Sequence, residues 1–147
     1  GIFLCGPGEM IDAVAATCHD LGLPRDRIHH ERFHMDGEAP RAARSAEAEA
    51  AIAEGVAVEV VLDGATRRFA LAEGDDSVLA AGERQGVELP YSCRGGMCCT
   101  CRCRVTRGRA EMAVNYSLEP WEVEAGFVLA CQARPLTDRL TLDFDAA

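Results

Sequence analysis

The sequence predicts an α+β fold, and three observations carry that expectation. Between Val56 and Asp145, short runs rich in Val, Leu and Phe alternate with polar residues and are bounded by Gly and Asp, as strands are. Two short helical stretches with their own start and stop signals interrupt them. Ahead of all this, residues 1–35 show a strand, a helix-periodic stretch and a second strand, the pattern of an α/β unit. A length of 147 residues allows one ordinary domain or two small ones.

The elements follow in order. "GIFLCGPGEM" opens with an apolar strand and turns at Gly6-Pro7-Gly8. It continues into a helix with Met10, Ile11, Val14 and Cys18 at helical spacing, and "IHHERF" supplies the second strand. Ligands of such units sit at the carboxyl ends of the strands. This strand–helix–strand unit has nothing to cover its sheet, so the later part is expected to be the stable body. Residues 36–55 are rich in Ala and Glu with few large apolar groups, which favours a flexible or partly helical tether over a core element.

From Val56 onward, "VAVEVVLDG" and "ATRRFALAEG" are two strands, and Asp63-Gly64 between them signals an antiparallel hairpin. "DDSVLAAGERQG" is a short helix with Asp76 or Ser77 as N-cap, Val78, Leu79 and Ala81 toward the core, and Gly86 as its stop. "CRCRVTRG" reads as a strand burying Cys101, Cys103 and Val105 and exposing Arg102 and Arg104. "LEPWEVEAG" is a further short helix, "FVLACQA" a strand, and "RLTLDFD" a closing strand with Leu140, Leu142 and Phe144 inward. The sum for residues 56–147 is a β-grasp domain.

The most informative stretch is "YSCRGGMCCTCRC", which places five of the eight cysteines within residues 91–103. Cys93, Cys98 and Cys101 give C-x4-C-x2-C, and Cys131 is the one cysteine beyond this stretch. This is the ligand spacing of a plant-type [2Fe–2S] cluster, in which a loop supplies three thiolates and a later segment the fourth. Gly95 and Gly96 allow the loop to turn tightly, and the backbone amides from Arg94 to Cys99 are expected to point at the sulfides. Arg94 adds positive charge beside an anionic core. Structural zinc is the alternative, through the Cys98/Cys101 pair, although it would want a second close pair downstream. Disulfides are the other, although the clustered cysteines lie too close in sequence to staple distant parts together. Cys99 is expected to point away from the cluster and Cys103 to be a buried structural thiol.

The remaining features limit function. His29 and His30 are adjacent on a strand and face opposite ways, so a metal shared with His34 is not expected. With 15 Arg, no Lys and 24 acidic residues, the chain carries a formal charge of −9, which argues against nucleic acid and favours a basic docking face on a partner. No apolar run approaches a membrane span, and a soluble, cytoplasmic protein without membrane contact is expected.

Residues 74–137, with "LPYSCRGGMCCTC" and "GFVLACQARPLTD", resemble the plant-type ferredoxin domain fused to the C-terminus of flavin-dependent reductases. The "CCTC" run and "NYSLEPWEVEAGFVLACQARP" are most like oxygenase reductases of the phenylacetyl-CoA epoxidase type, except at Cys103, where that family would have a small residue such as alanine. In the wider family a Cys-Gly-Pro-x-x-Met motif lies beside the nicotinamide. Here Cys5-Gly6-Pro7-Gly8-Glu9-Met10 matches it, which implies Cys5, Gly6 and Pro7 on the nicotinamide side. The family's flavin-binding barrel and Gly-rich nucleotide loop do not occur in this sequence, so the likeness implies the C-terminal piece of a longer protein whose FAD and NAD(P)H sites lie upstream. Electrons would then pass from NAD(P)H through FAD and the [2Fe–2S] cluster to an oxygenase component, this chain alone only carrying them. A freestanding ferredoxin is the rival reading of the same residues.

Overall fold

The structure, a computed structural model, describes residues 1–6, 8–24, 27–32 and 42–146. It falls into two compact units, Gly1–Glu38 and Ala39–Ala147.

In the first unit, β1 (Ile2–Gly6) and β2 (Ile28–Arg32) pair in parallel, Ile2 opposite Ile28 and Gly6 opposite Arg32, with helix α1 (Gly8–Asp20) as the crossover. Two strands bury only one stripe of the helix. Ile11 is fully buried, whereas Met10 and Val14, expected inward, are exposed. The sequence periodicity marks a face wide enough for a larger sheet than these two strands provide. On β1 and β2, the rings of Phe3 and His29 stack 4.8 Å apart. Phe33 and His34, expected at the end of this unit, lie outside the described residues.

The second unit is built on a five-stranded mixed sheet in the order β4-β3-β9-β5-β7, the β-grasp arrangement. Its strands are β3 (Val56–Leu62), β4 (Ala65–Leu71), β5 (Arg102–Arg107), β7 (Phe127–Leu129) and β9 (Arg139–Asp143). The hairpin β3–β4 is antiparallel, and Asp63 and Gly64 both take positive φ, 53° and 70°, the conformation a two-residue turn requires. Asp145 closes the turn, its carboxylate accepting the N–H groups of Asp63 and Gly64 at 2.8 Å each. Strand β9 lies at the centre, parallel to β3 with Val58 opposite Leu140 and Val60 opposite Leu142, and antiparallel to β5. These four side chains are buried with Leu71, Val78, Leu79 and Leu129 in one core. Two short strands, β6 (Ala110–Met112) and β8 (Ala133–Pro135), form a separate antiparallel pair.

Helix α3 (Val78–Arg84) starts at Ser77, whose hydroxyl accepts the Ala80 N–H, and runs into Gly86 at φ 74°. Buried Asp75 precedes it. Its carboxylate accepts the Ala72 N–H and both arms of the Arg84 guanidinium, at 2.8 and 2.7 Å, and this fork holds the Asp75 carboxyl below its usual range. Helix α4 (Pro120–Glu124) opens with a reciprocal capping box between Glu119 and Glu122.

Two expectations are corrected here. "FVLACQA" is not one strand: β7 stops at Leu129 and β8 starts at Ala133, and residues 130–132 form a turn between them. Arg102 is not exposed, because Glu122 binds its Nε at 2.8 Å and the Phe127 ring lies 3.7 Å from its guanidinium carbon.

Within the segment expected to be a tether, Ala46–Glu54 forms helix α2, capped by Ser45, with Ala48 and Ile52 buried. Alanine-rich composition hides this role, since one isoleucine and one alanine at i, i+4 spacing suffice to dock a short helix. The preceding residues are also fastened. The Ala42 N–H donates to Ala113 O, Arg134 donates to Ala42 O at 2.7 Å, Arg44 donates to Asp75 O, and the Ser45 N–H donates to Glu111. Among the described residues no helix is long and apolar enough to cross a membrane.

Ile52→Ala should therefore destabilise the folded protein by about 2–5 kcal/mol, the range for truncating a buried aliphatic side chain, in equilibrium urea unfolding. A loss below about 0.5 kcal/mol would show that α2 is a tether and not core. Asp75 makes a second prediction. A carboxyl with a depressed folded-state pKa contributes stability above its unfolded pKa, about 3.9, and loses it as pH falls through the folded value. Asp75→Asn should lower stability at pH 7 and flatten the acid limb below about pH 4 in thermal melts.

Candidate metal centre

The cysteine loop leaves α3 through "VELP" and ends where β5 begins, so both of its feet stand on the core. Its backbone takes left-handed φ at Arg94 (53°), Gly96 (78°) and Cys99 (57°). Sequence reasoning assigned the tight turning to both glycines, but Gly95 does not take positive φ. Two residues with side chains adopt that conformation instead, at a cost of about 1–3 kcal/mol each. Gly96 has a second reason to be glycine. A Cβ there would lie 3.2 Å from both the Cγ2 and the carbonyl oxygen of Val114 and 3.4 Å from Gln132 Cγ. The Gly96 carbonyl accepts the Tyr116 N–H and the Ser117 hydroxyl, which fixes the loop's back.

These turns aim amides at sulfur. The Cys93 N–H donates to Cys98 Sγ, and the Gly95 and Cys98 N–H groups donate to Cys93 Sγ, each at 3.4 Å. Cys98 Sγ and the Thr100 hydroxyl are 3.2 Å apart. Partial burial pushes the Cys98 thiol up, but the Thr100 hydroxyl, the N–H groups of Cys93 and Thr100, and the Cys93 thiol together outweigh it and bring Cys98 down to about 6. Cys101 lies inside, 4% exposed, and so does Cys131, 3% exposed. The Cys131 thiol beside it and then burial drive the Cys101 thiol far up.

The turn at residues 130–132 delivers Cys131. The Ala130 N–H donates to Cys101 O at 2.9 Å, and the Ala130 carbonyl accepts the Leu79 N–H at the start of α3. A continuous strand would have carried Cys131 along the sheet; the turn sets it against Cys101. The four cysteines singled out by spacing thus stand as two pairs, Cys93 with Cys98 and Cys101 with Cys131. Among the described residues, no three His, Cys, Asp or Glu side chains gather about one metal-ion position. Two thiol pairs, amides directed at sulfur and a loop back crowded against Val114 suit an anionic binuclear core, whose four thiolates would need both covalent ligation and N–H donors.

The other residues sort as follows. Cys99 is half-buried against the core, and its carbonyl accepts the Arg102 N–H. Cys103 is 0% exposed, with its thiol 3.7 Å from Val128 O, and burial pushes it well above the usual range. The Arg94 guanidinium does not lie free beside the loop: it is bound by Glu83, at 2.9 Å for Nη1, and stacked 4.1 Å over the Tyr91 ring. Sequence reasoning missed Gln132. It is 1% exposed and donates from Nε2 to Arg94 O at 2.7 Å and to Cys131 Sγ at 3.4 Å. Its only signal was a polar residue within an apolar run, directly after the fourth cysteine. Of the residues expected near a nicotinamide, Cys5 is exposed at the end of β1 and Gly6 follows it, while Pro7 lies outside the described residues.

Comparison with known proteins places the chain in a family. Residues 60–136 match the family described as the 2Fe-2S iron-sulfur cluster binding domain. The chain is 46% identical over 144 residues to a component of the 1,2-phenylacetyl-CoA epoxidase of Escherichia coli, covering 98% of this chain and 39% of that protein. It is 38% identical over 148 residues to the ferredoxin reductase component of the 3-ketosteroid-9-alpha-monooxygenase of Rhodococcus rhodochrous, covering 97% of this chain and 41% of that protein. Among solved structures, an Amycolatopsis cytochrome P450 reductase aligns with a TM-score of 0.52 at 37% identity, over 60% of this chain and 25% of that one. The chain therefore spans about two-fifths of the length of the curated relatives it matches.

The unequal thiols make a prediction for cluster-free polypeptide. Iodoacetamide should alkylate Cys98 with a half-maximal rate near pH 6, while Cys101 and Cys103 stay unmodified until the protein is unfolded. Peptide mass mapping across about pH 5–9 reads this directly; equal labelling of Cys98 and Cys103 near pH 7 would contradict it.

Proposed function

Because the chain belongs to the family of 2Fe-2S iron-sulfur cluster binding domains, we propose that it is the electron-transfer part of an oxygenase reductase, with Cys93, Cys98, Cys101 and Cys131 holding the cluster. The observation that carries this reading is the pairing of Cys93 with Cys98 within the loop and of Cys101 with Cys131 across a separate turn, with backbone N–H groups directed at the loop pair. A binuclear iron–sulfide core would need four thiolates, and the two pairs would supply them. When bound, such a cluster supplies one-electron chemistry at a low potential, about −400 mV for the plant type. The chain's own part is electrostatic. The N–H groups of Cys93, Gly95 and Cys98 offset thiolate charge, and the core behind Cys101 and Cys131 keeps water from the inner pair.

Electrons would come from NAD(P)H by way of FAD in the parent protein and leave to an oxygenase component. The reductase relatives support that direction, and the 46% identity to the epoxidase component favours the phenylacetyl-CoA type. In the first unit Cys5, Gly6 and Pro7 would border the nicotinamide, at the carboxyl end of β1 where α/β units place ligands.

The ligand set predicts three outcomes in anaerobically purified protein. Cys98→Ser should lose the visible absorption and the EPR signal of the dithionite-reduced state; Cys99→Ser and Cys103→Ser should keep both. Loss in Cys99→Ser with retention in Cys98→Ser would overturn the assignment.

A further inference from the structure

Among the described residues at the cage, Gln132 is the buried polar side chain that neither the ligand set nor the sheet accounts for. Its backbone is already committed: its N–H donates to Leu129 O at 2.8 Å and its carbonyl accepts the Ala113 N–H at 3.0 Å. The side chain therefore leaves from a fixed point. It passes beneath Gly96, where its Cγ lies 3.4 Å from the position of a Cβ, and ends with Nε2 between Arg94 O and Cys131 Sγ. Only the amine end of the amide can donate to a carbonyl, so the Arg94 contact fixes which way the amide faces. Its Oε1 is buried with no hydrogen-bond partner among the described residues. A buried acceptor left unmet is costly, and a local cost of this kind is kept where the group's other end has a task.

That task is legible from what the two donations join. Arg94 is in the left-handed conformation, and its carbonyl belongs to the peptide whose N–H, that of Gly95, points at Cys93 Sγ. Holding the carbonyl from behind holds the N–H toward the sulfur. The second donation goes to Cys131 itself, which comes from the other side of the cage. One amide thus links the loop that carries three thiols to the turn that carries the fourth.

We propose that Gln132 is a positioning residue that sets the reduction potential of the bound cluster, by donating to the Cys131 sulfur and by locking the Arg94–Gly95 peptide so that its N–H faces Cys93. This rests on the cluster reading above. N–H donors to ligating sulfur stabilise the more negative, reduced state, so their loss shifts the potential down. Gln132→Met removes both donations at similar volume; Gln132→Glu keeps the shape, removes the donations and adds negative charge.

The test is a spectroelectrochemical titration of wild type, Q132M and Q132E, with thermal melts alongside, and HYSCORE on reduced wild type labelled with 15N at the glutamine side-chain amide. The chain has two glutamines, and the other, Gln85, has its amide nitrogen donating to Ala70 O and Ala81 O. Expected are a more negative potential in Q132M, a larger negative shift in Q132E, and a 15N coupling in wild type that vanishes in Q132M. An unchanged potential in Q132M, whatever its melting temperature, or the absence of side-chain coupling in wild type, overturns the proposal while leaving the cluster reading intact. Should neither variant fold, the wild-type coupling decides alone. A wild type that forms no cluster on reconstitution overturns both.

Discussion

On the ligand set proposed above, one requirement bears on the whole second unit: four thiols from two distant stretches of chain would have to be held near one another against their mutual repulsion once ionised. The fold meets it with the turn at residues 130–132. Ala130 is bound on one side to Cys101 and on the other to Leu79 at the head of α3, so a single residue ties the fourth cysteine, the third cysteine and the helix together. The sheet serves as the rigid support on which this junction stands. Buried Leu129, just before the turn, and Leu140 and Leu142 on the central strand keep its position from drifting.

The loop is locally unfavourable and globally determined. Arg94 and Cys99 take a backbone conformation that side chains rarely adopt, Gly96 is pressed against Val114, and Gln132 leaves an acceptor unmet. None of these would persist in isolation. They persist because the surrounding bonds, from Tyr116 and Ser117 to Gly96 and from Gln132 to Arg94, leave no alternative geometry. The result is a set of amides already directed at the sulfurs of Cys93 and Cys98.

Much of this was legible in the residues. The hairpin at Asp63-Gly64, the Ser77 cap and the alternating closing strand are local signals, and local signals survive folding. The cysteine spacing was legible because ligation chemistry constrains interval and residue type together. What could not be read depends on tertiary contact. The break after Leu129 has no glycine or proline to mark it, and its cause is a bond to Cys101, far back along the chain. Arg102 looked like an exposed strand residue until Glu122 and Phe127 supplied its partners. Helix α2 looked like a tether because its buried side chains are one alanine and one isoleucine, Ala48 and Ile52.

The place of β9 bears on how the protein comes into being. Arg139–Asp143 follow every other strand of the sheet in sequence, yet they lie between β3 and β5, and Asp145 closes the β3–β4 hairpin. On the ribosome, then, the early strands wait without their central neighbour, exposing an unpaired edge until almost the whole domain has emerged. Most sheet contacts join residues far apart in sequence, which makes folding a late, cooperative event. Until β9 takes its place, the turn that carries Cys131 has no completed sheet to stand on, so removing that one strand would undo the placement of the cysteines without touching any of them.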